Sequence, residues 1–142
     1  MACFAEWIPS LNETRTAVNV VDSSAWLEYF SDGPNAGFFA KPIENTKELL
    51  VPSLSLYEVY KRVLQQRGDS DALQIIAVMQ QGRLVDLNGN LALQAARLSR
   101  AHSLPLADSV MLATARAFDA VLWTQDADFK ALPGVQFRAA RR

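Results

Sequence analysis

Short apolar runs recur along the chain, and a polar or turn-forming residue ends each of them. Runs of this kind, rich in valine and leucine, are typical of buried strands in a parallel sheet. They predict four strands and a candidate fifth, at positions 18–22, 49–51, 83–87, 121–123 and 135–137.

The stretches between these runs carry apolar residues at every third or fourth position, which is the spacing of one helix face. Capping residues support the pattern, since Ser53 stands before one such stretch and Gly68 follows it. The predicted helices begin at Ser23 or Ser24, span 38–43 and 53–67, begin at Ser70 or Asp71, and span 88–101 and 107–118. Strands and helices therefore alternate, which predicts an α/β sandwich around a mainly parallel sheet.

The domain organisation that the sequence predicts is simple. Residues 1–16 are mixed in polarity, and Pro9 and Asn12 would break a long helix there, so we interpret them as an N-terminal extension. Residues 17–142 contain no internal repeat and no linker, and we expect them to form one domain. The chain of 142 residues, half of them hydrophobic, is long enough for a substantial core.

Charge restricts the possible partners. The chain has 14 basic and 15 acidic residues, so it has no overall positive field that would attract a nucleic acid. A nucleic-acid partner would need a local basic patch. Basic residues do cluster at Lys61, Arg62 and Arg67, and again at the C-terminus, although the favoured interpretation of both clusters is a solvated face and a solubilising tail.

Single residues exclude other classes of site. Cys3 is the only cysteine and His102 the only histidine, which excludes an internal disulfide, a cysteine-based zinc site and a histidine-rich metal site. No apolar run approaches the roughly 20 residues of a membrane-spanning helix. The N-terminus also lacks the pattern of a secretory signal. We therefore expect a cytoplasmic protein without a membrane partner.

Four acidic residues stand among apolar neighbours at landmarks of the predicted topology. Asp22 ends the first strand, and Asp126 follows the fourth. Glu58 lies early in the helix after the second strand, and Asp108 lies in the first turn of the helix before the fourth. Because the carboxyl ends of parallel strands share one edge of a sheet, we expect Asp22, Asp126 and Glu58 to meet there. Asp108 joins them if the loop 102–105 takes the place of a strand.

Each acid also has a purely structural interpretation. Asp22 could cap the helix that follows it, and Asp108 could interact with a helix dipole. Glu58 could pair with Arg62 one turn further along its helix. Asp126 could belong to a turn. These interpretations need four separate explanations, whereas a shared site needs one.

A shared acidic site requires a counter-ion, because neighbouring carboxylates repel one another and resist ionisation. Mg²⁺ prefers carboxylate oxygens and retained waters. Such a cation lowers the pKa of bound water and offsets the charge of a phosphate. The cluster alone therefore predicts metal-dependent phosphoryl transfer with water as the acceptor. A phosphatase or receiver-like pocket is disfavoured, since no Asp-x-Asp follows the first strand.

Four segments resemble the successive motifs of PIN-domain ribonucleases. They are 19–27 (NVVDSSAWL), 52–59 (PSLSLYEV), 104–115 (LPLADSVMLATA) and 122–129 (LWTQDADF). The resemblance implies a PIN-like three-layer α/β/α sandwich, dependence on Mg²⁺ or Mn²⁺, and endonucleolytic cleavage of RNA. It also implies which acids are catalytic and metal-binding, namely Asp22, Glu58, Asp108 and Asp126.

The same resemblance implies supporting residues and partners. Ser23 and Thr124 match positions that support the site, and Asp128 matches a secondary acid. In its size the chain is similar to VapC-type toxins of type II toxin–antitoxin modules, which implies a homodimer, a cognate antitoxin and a toxin–antitoxin hetero-oligomer. The alternative function is a catalytically inert PIN-fold module that acts by binding a protein. The extension 1–16 and the low positive charge depart from the family pattern.

Overall fold

The computed structural model describes residues 18–141, and within that range five strands form one sheet. Every pair of neighbouring strands is parallel. The strands are β1 (Asn19–Val21), β2 (Leu49–Pro52), β3 (Arg83–Val85), β4 (Val121–Thr124) and β5 (Val135–Phe137), in the order β3-β2-β1-β4-β5. The chain builds outward from β1 to β3 and then returns to the other side of β1. The strand order therefore reverses between β1 and β4, where open α/β sheets bind their ligands.

Successive residues of the central strands point to opposite faces of the sheet. Val20 and Leu122 pack in one apolar cluster, whereas Val21 and Val51 pack in another. Both faces of the sheet are therefore covered. This explains why the central strands are apolar at nearly every position instead of alternating with polar residues.

Four helices cover the first face. They are α1 (Ser23–Phe30), α2 (Ala36–Glu44), α3 (Ser53–Arg67) and α4 (Asp69–Met79). Trp26, Phe39, Val59 and Met79 are the largest of the fully buried side chains that they contribute to the cluster containing Val21. These helices connect β1 to β2 and β2 to β3, so both crossovers lie on the same side of the sheet.

Two helices on the opposite face, α5 (Gly89–His102) and α6 (Leu106–Ala117), return the chain from β3 to β4. Leu91 of α5 and Met111 of α6 pack against the sheet in the cluster that contains Val20. All residues of α6 from 109 to 115 are buried. The helix that carries Asp108 is therefore held firmly between the sheet and its neighbours.

The three-layer sandwich with a parallel sheet is confirmed, and the element bounds agree with the predicted ones to within two residues. Ser53 is the first residue of α3 rather than its cap, because β2 runs directly into the helix and extended Pro52 occupies the cap position. β3 ends at Val85 because the chain then leaves the sheet to reach Asn88, the cap of α5. Two short 3₁₀ turns, Thr46–Glu48 and Ala127–Phe129, were not predicted.

Two expectations concern the limits of the chain and the membrane. The predicted extension 1–16 lies outside the described residues, so the boundary of the domain stays a prediction. Among the helices between residues 18 and 141, none is both long and apolar enough to cross a bilayer.

Candidate functional site

Asp22 lies where β1 ends and α1 begins, beside the reversal of the strand order, and it is only 4% exposed. Its Oδ1 accepts a hydrogen bond from the backbone N–H of Ser23 at 2.8 Å, so the residue caps α1. Its Oδ2 accepts bonds from the hydroxyls of Ser24 at 3.1 Å and of Thr124 at 2.9 Å. Donors on both oxygens hold this buried carboxylate in one orientation.

Thr124, the last residue of β4, links two of the acids. Its hydroxyl donates to Asp22 and accepts a bond from the backbone N–H of Asp126 at 2.9 Å. Oδ1 of Asp126 accepts the backbone N–H of Asp128 at 2.9 Å and so caps the 3₁₀ turn that follows. Because β1 and β4 are neighbours in the sheet, their ends bring Asp22 and Asp126 together, and one hydroxyl fixes their relative position.

Asp108 reaches the same edge from a helix. The turn before α6 contains Ser103 with a positive φ of 55°. Leu104 in that turn is buried, and its N–H and C=O bond the backbone oxygen and the hydroxyl of Ser99 at 3.1 and 2.6 Å. These contacts fix the direction in which α6 leaves the turn. The loop therefore takes the place of a strand end, as the sequence requires for Asp108 to join the site.

Asp22, Asp108 and Asp126 converge on one point. One carboxylate oxygen from each lies within 4.8 Å of the others. Asp108 and Asp126 are each half-buried, and Asp22 is buried, so the group is partly accessible to solvent. This geometry allows one small ion to contact all three carboxylates.

The three carboxylates disturb one another's ionisation. Burial raises the pKa of Asp22 to about 6, although its three hydrogen-bond donors oppose the shift and the charge of Asp126 adds slightly to it. Burial, followed by the charges of Asp22 and Asp126, raises the pKa of Asp108 to about 7. Near neutral pH, full ionisation of the group is therefore unfavourable without a positive charge beside it.

Glu58 lies next to this group and is not part of it. The Ser23 hydroxyl donates to Oε1 of Glu58 at 2.6 Å, which ties the first turn of α1 to α3. The alternative pairing of Glu58 with Arg62 does not form. Within the part of the chain that the structure describes, the one ion pair joins Arg67 to Asp71 at 3.6 Å. Ser23 therefore links two of the acids, since its backbone N–H donates to Asp22 and its hydroxyl donates to Glu58.

Two further side chains organise the site without having been predicted. Ser24 donates to Asp22, as described above. Asn35, which is fully buried, donates through Nδ2 to Oε1 of Gln125 at 3.1 Å and to the backbone oxygen of Ala139 at 2.9 Å. Gln125 stands directly before Asp126, so Asn35 supports the loop that carries this acid. In the sequence Asn35 belongs only to a turn, and nothing nearby indicates a partner 90 residues away.

The donor set fits a hard divalent cation. Three carboxylates offer oxygen ligands of the type that Mg²⁺ and Mn²⁺ prefer. The raised pKa values of Asp22 and Asp108 indicate that neighbouring protein groups do not fully compensate their charges. A bound cation would supply the missing positive charge and would favour the ionised forms.

The topology and the acidic group together define a class of protein. A model of the family described as PIN domain matches residues 20–135 of the chain. The chain therefore belongs to the PIN-domain family. No curated protein matches it in a sequence search.

Solved structures with the same fold include components of toxin–antitoxin systems. A toxin–antitoxin complex from Klebsiella pneumoniae matches with a TM-score of 0.70 and 19% identity over 83% of this chain and 95% of that one. VapC20 from Mycobacterium tuberculosis, a toxin that cleaves the sarcin–ricin loop, matches with a TM-score of 0.68 and 20% identity over 84% of this chain and 98% of that one. VapBC2 from Rickettsia felis, bound to a DNA fragment of its promoter, matches with a TM-score of 0.67 and 13% identity over 86% of this chain and 98% of that one. At these identities the likeness establishes a shared fold.

Proposed function

We propose that the protein is an endoribonuclease toxin that depends on Mg²⁺ or Mn²⁺ and is neutralised by a cognate antitoxin. One observation carries the proposal: in a PIN-domain chain, carboxylate oxygens of Asp22, Asp108 and Asp126 lie within 4.8 Å of one another at the ligand-binding edge of the sheet. A nuclease of this kind needs no nucleophilic side chain.

The acids have distinct roles in this proposal. Asp22, Asp108 and Asp126 hold the cation, which when bound lowers the pKa of water and offsets phosphate charge. Glu58 is positioned by the hydroxyl of Ser23, which donates to its Oε1, and in this proposal it acts on the cation through water. Thr124 keeps Asp22 and Asp126 in register. Asp128 has a secondary role, since its side chain is exposed and its recorded contact to the site is the backbone N–H that it donates to Asp126.

The reaction is hydrolysis of a phosphodiester. A water oxygen adds to phosphorus, the bond from phosphorus to the 3′-oxygen breaks, and a proton passes to that oxygen. The products are a 5′-phosphate and a 3′-hydroxyl. The three carboxylates bind the cation and hold it in place. Asp22 and Thr124 are both buried, so this part of the site is closed to bulk water.

RNA as the substrate and an antitoxin as the partner are supported by the neighbours in fold. One of them is a toxin that cleaves the sarcin–ricin loop, and others are VapBC or toxin–antitoxin complexes. The proposal extends these properties to this chain. It also includes a homodimer and a hetero-oligomer with the antitoxin.

The test is cleavage of RNA by matched variants. Purified wild type, Asp108→Asn and Asp119→Asn are incubated with total RNA in Mg²⁺, Mn²⁺ or EDTA, and the cut ends are mapped. Asp119 is an exposed acid after the other end of α6, so Asp119→Asn makes the same charge change away from the site. We expect wild type and Asp119→Asn to cleave with either cation, and Asp108→Asn to be inactive.

Two results would contradict the proposal. One is cleavage that continues in EDTA, and the other is equal cleavage by wild type and Asp108→Asn. If no protein cleaves RNA and Mn²⁺ titration detects no binding that depends on Asp108, the inert protein-binding module becomes the better interpretation. Growth arrest on expression, relieved by Asp108→Asn, tests the toxin role separately from cleavage in vitro.

A further inference from the structure

A cleft of about 430 Å³ opens beside the acids, between α1 and α3. This volume lies within the range of roughly 300–1,000 Å³ that is typical of small-ligand sites. Ser23 and Ser24 form its α1 side, and Tyr57, Lys61, Arg62 and Gln65 line its α3 side. Its composition differs from that of the acidic group, because it combines two cations, an aromatic ring and hydroxyls.

The cleft lies next to the candidate metal centre, and none of the three clustered acids lines it. Ser23 and Glu58 both line it, and the hydrogen bond between them forms its boundary toward Asp22. Glu58, Arg62 and Gln65 follow one another at intervals of four and three residues, so they lie along one side of α3. At 1.5 Å per residue, this side leads about 10 Å away from the acids.

The two cations have no acidic partner in the described structure. The ion pair recorded for residues 18–141 involves Arg67 and Asp71, at the far end of α3. Lys61 and Arg62 are exposed, and neither pairs with Glu58, which lies one turn before them on α3. An unpaired pair of cations beside an acidic site is suited to an anion that must approach that site against carboxylate repulsion.

Tyr57 adds an exposed aromatic surface. The residue is 59% exposed, so part of its ring is accessible to a ligand. Lys61 Nζ lies 5.6 Å from the centroid of its ring. Sites for single-stranded nucleic acids combine these two elements, a cationic groove for the backbone and an aromatic ring on which a base stacks.

We propose that this cleft is the subsite for the nucleotide next to the scissile phosphate in a single-stranded RNA. Lys61 and Arg62 pair with its phosphate, and the ring of Tyr57 stacks on its base. The proposal deepens the proposed function and rests on RNA being the substrate. It also explains how a chain with a net charge of −1 holds RNA, since the positive charge is placed locally.

The test measures RNA binding in the non-cleaving Asp108→Asn background, by anisotropy of a fluorescent single-stranded RNA at several salt concentrations. We expect Lys61→Gln and Arg62→Gln each to weaken binding and to reduce the slope of log K against log salt by about 0.7, the value for one phosphate contact. Tyr57→Ala should weaken binding roughly 5- to 150-fold without changing the slope, and Tyr57→Phe should not. Arg97→Gln, an exposed cation on α5 across the sheet, should bind as the parent does.

The outcomes separate this inference from the nuclease proposal. If the Lys61, Arg62 and Tyr57 variants bind RNA with the parent's affinity and slope, the inference is overturned, even when the wild type cleaves RNA. If they lose RNA binding and the wild type does not cleave, the subsite stands and the nuclease proposal fails. If they keep RNA binding but lose binding of a short polyglutamate peptide, the cleft is a protein-docking surface and the inference is overturned. Thermal melting of each variant confirms that it is folded.

Discussion

Asp22 combines the two roles that its position in the sequence suggested as alternatives. Its Oδ1 caps α1, and its Oδ2 accepts the hydroxyl of Thr124 within reach of Asp108 and Asp126. Burial raises the pKa of Asp22 from 3.8 to about 6, so the fold keeps this residue where its ionisation is unfavourable. Such an arrangement is typical of a site organised for a ligand at some expense of stability.

We therefore expect Asp22→Asn to stabilise the metal-free protein at pH 8 while it prevents cleavage. The folded-state pKa is raised, so the stability linked to this group is fully present below 3.8 and is lost as the pH rises through about 6. A pKa difference of this size corresponds to about 3 kcal/mol at most, before relaxation. Asn does not ionise, and it keeps the cap through its Oδ1. Its Nδ2 takes the place of Oδ2 and can donate to the hydroxyl oxygens of Ser24 and Thr124.

Urea unfolding in EDTA at pH 4.5 and pH 8 measures this effect. The variant should exceed the wild type in free energy of unfolding at pH 8, and the difference should shrink to roughly a third at pH 4.5, which lies between the unfolded and folded pKa values. A wild type that is as stable as the variant at pH 8 would refute the assignment of Asp22 as an uncompensated buried acid.

A second prediction at this scale concerns Thr124. Thr124→Val keeps the shape of the side chain but removes the hydroxyl that bonds Asp22 and the N–H of Asp126. We expect it to lower Mn²⁺ affinity about 10- to 100-fold, as is common when a group that orients metal ligands is lost. Thr124→Ser should retain most of the affinity, because it keeps the hydroxyl.

Thr114→Val is the matched control for this measurement. Thr114 is also buried, but its hydroxyl bonds the backbone oxygen of Val110 within α6 and touches none of the acids. Calorimetric titration should give it the wild-type affinity. Equal Mn²⁺ affinities for Thr124→Val and Thr114→Val would mean that Thr124 does not organise the site.

At the scale of elements, the sequence predicted the features that depend on the local spacing of apolar residues and on where the strands end. The strands and helices follow from the spacing of apolar residues, and the meeting of Asp22 with Asp126 follows from parallel neighbours β1 and β4. The approach of Asp108 depended on the direction in which α6 leaves the turn at Ser103. That direction is set by packing of Leu104, which no local pattern encodes.

The orientation of Glu58 was also beyond the sequence. Arg62 is one helical turn away and Ser23 is 35 residues away, so sequence proximity favoured the ion pair. The structure instead places the buried first turn of α1 against α3, and the short bond to Ser23 forms. Long-range contacts of this kind, like that of Asn35 with Gln125, depend on tertiary packing and leave no local signal.

The third prediction belongs to α5. Asn88 caps this helix, since its Oδ1 accepts the backbone N–H of Leu91 at 2.9 Å. Asn88→Ala should lower the free energy of unfolding by about 1 kcal/mol, the usual effect of a lost cap. Asn88→Asp should retain the cap and with it the free energy of unfolding of the wild type. Neither change should alter the cleavage rate per folded molecule, because Asn88 lies roughly 16 Å along α5 from Ser99, the residue of this helix that bonds the turn before α6. A selective loss of activity in Asn88→Ala would contradict this separation of stability from the site.

For the whole molecule, the sheet topology determines where charge can accumulate. The net charge of −1 conceals two opposite local fields. One is formed by three acids, at the ends of β1 and β4 and in the first turn of α6, and the other by the exposed cations of α3 beside them. A cation at the acids would weaken the repulsion that opposes an approaching phosphate, so metal binding and RNA binding should be positively coupled. The same cation should also link the site to global stability, because it binds the folded chain in preference to the unfolded one.

The last prediction is that Mn²⁺ raises the melting temperature, and that it does so more at pH 8 than at pH 5.5. Protons compete with the cation for the carboxylates, and burial with neighbouring charge raises the pKa of Asp22 to about 6 and of Asp108 to about 7. At pH 5.5 both are largely protonated, so binding must displace protons, whereas at pH 8 it relieves repulsion that is already present. With Mn²⁺ at 100 times its Kd, the stabilisation at pH 8 should be about 2.7 kcal/mol. Thermal melting with EDTA or Mn²⁺ at both pH values measures this effect. Asp119→Asn is the control and should behave as wild type, whereas Asp108→Asn should respond weakly. An increase that is independent of pH, or equal in the two variants, would place the cation elsewhere on the molecule.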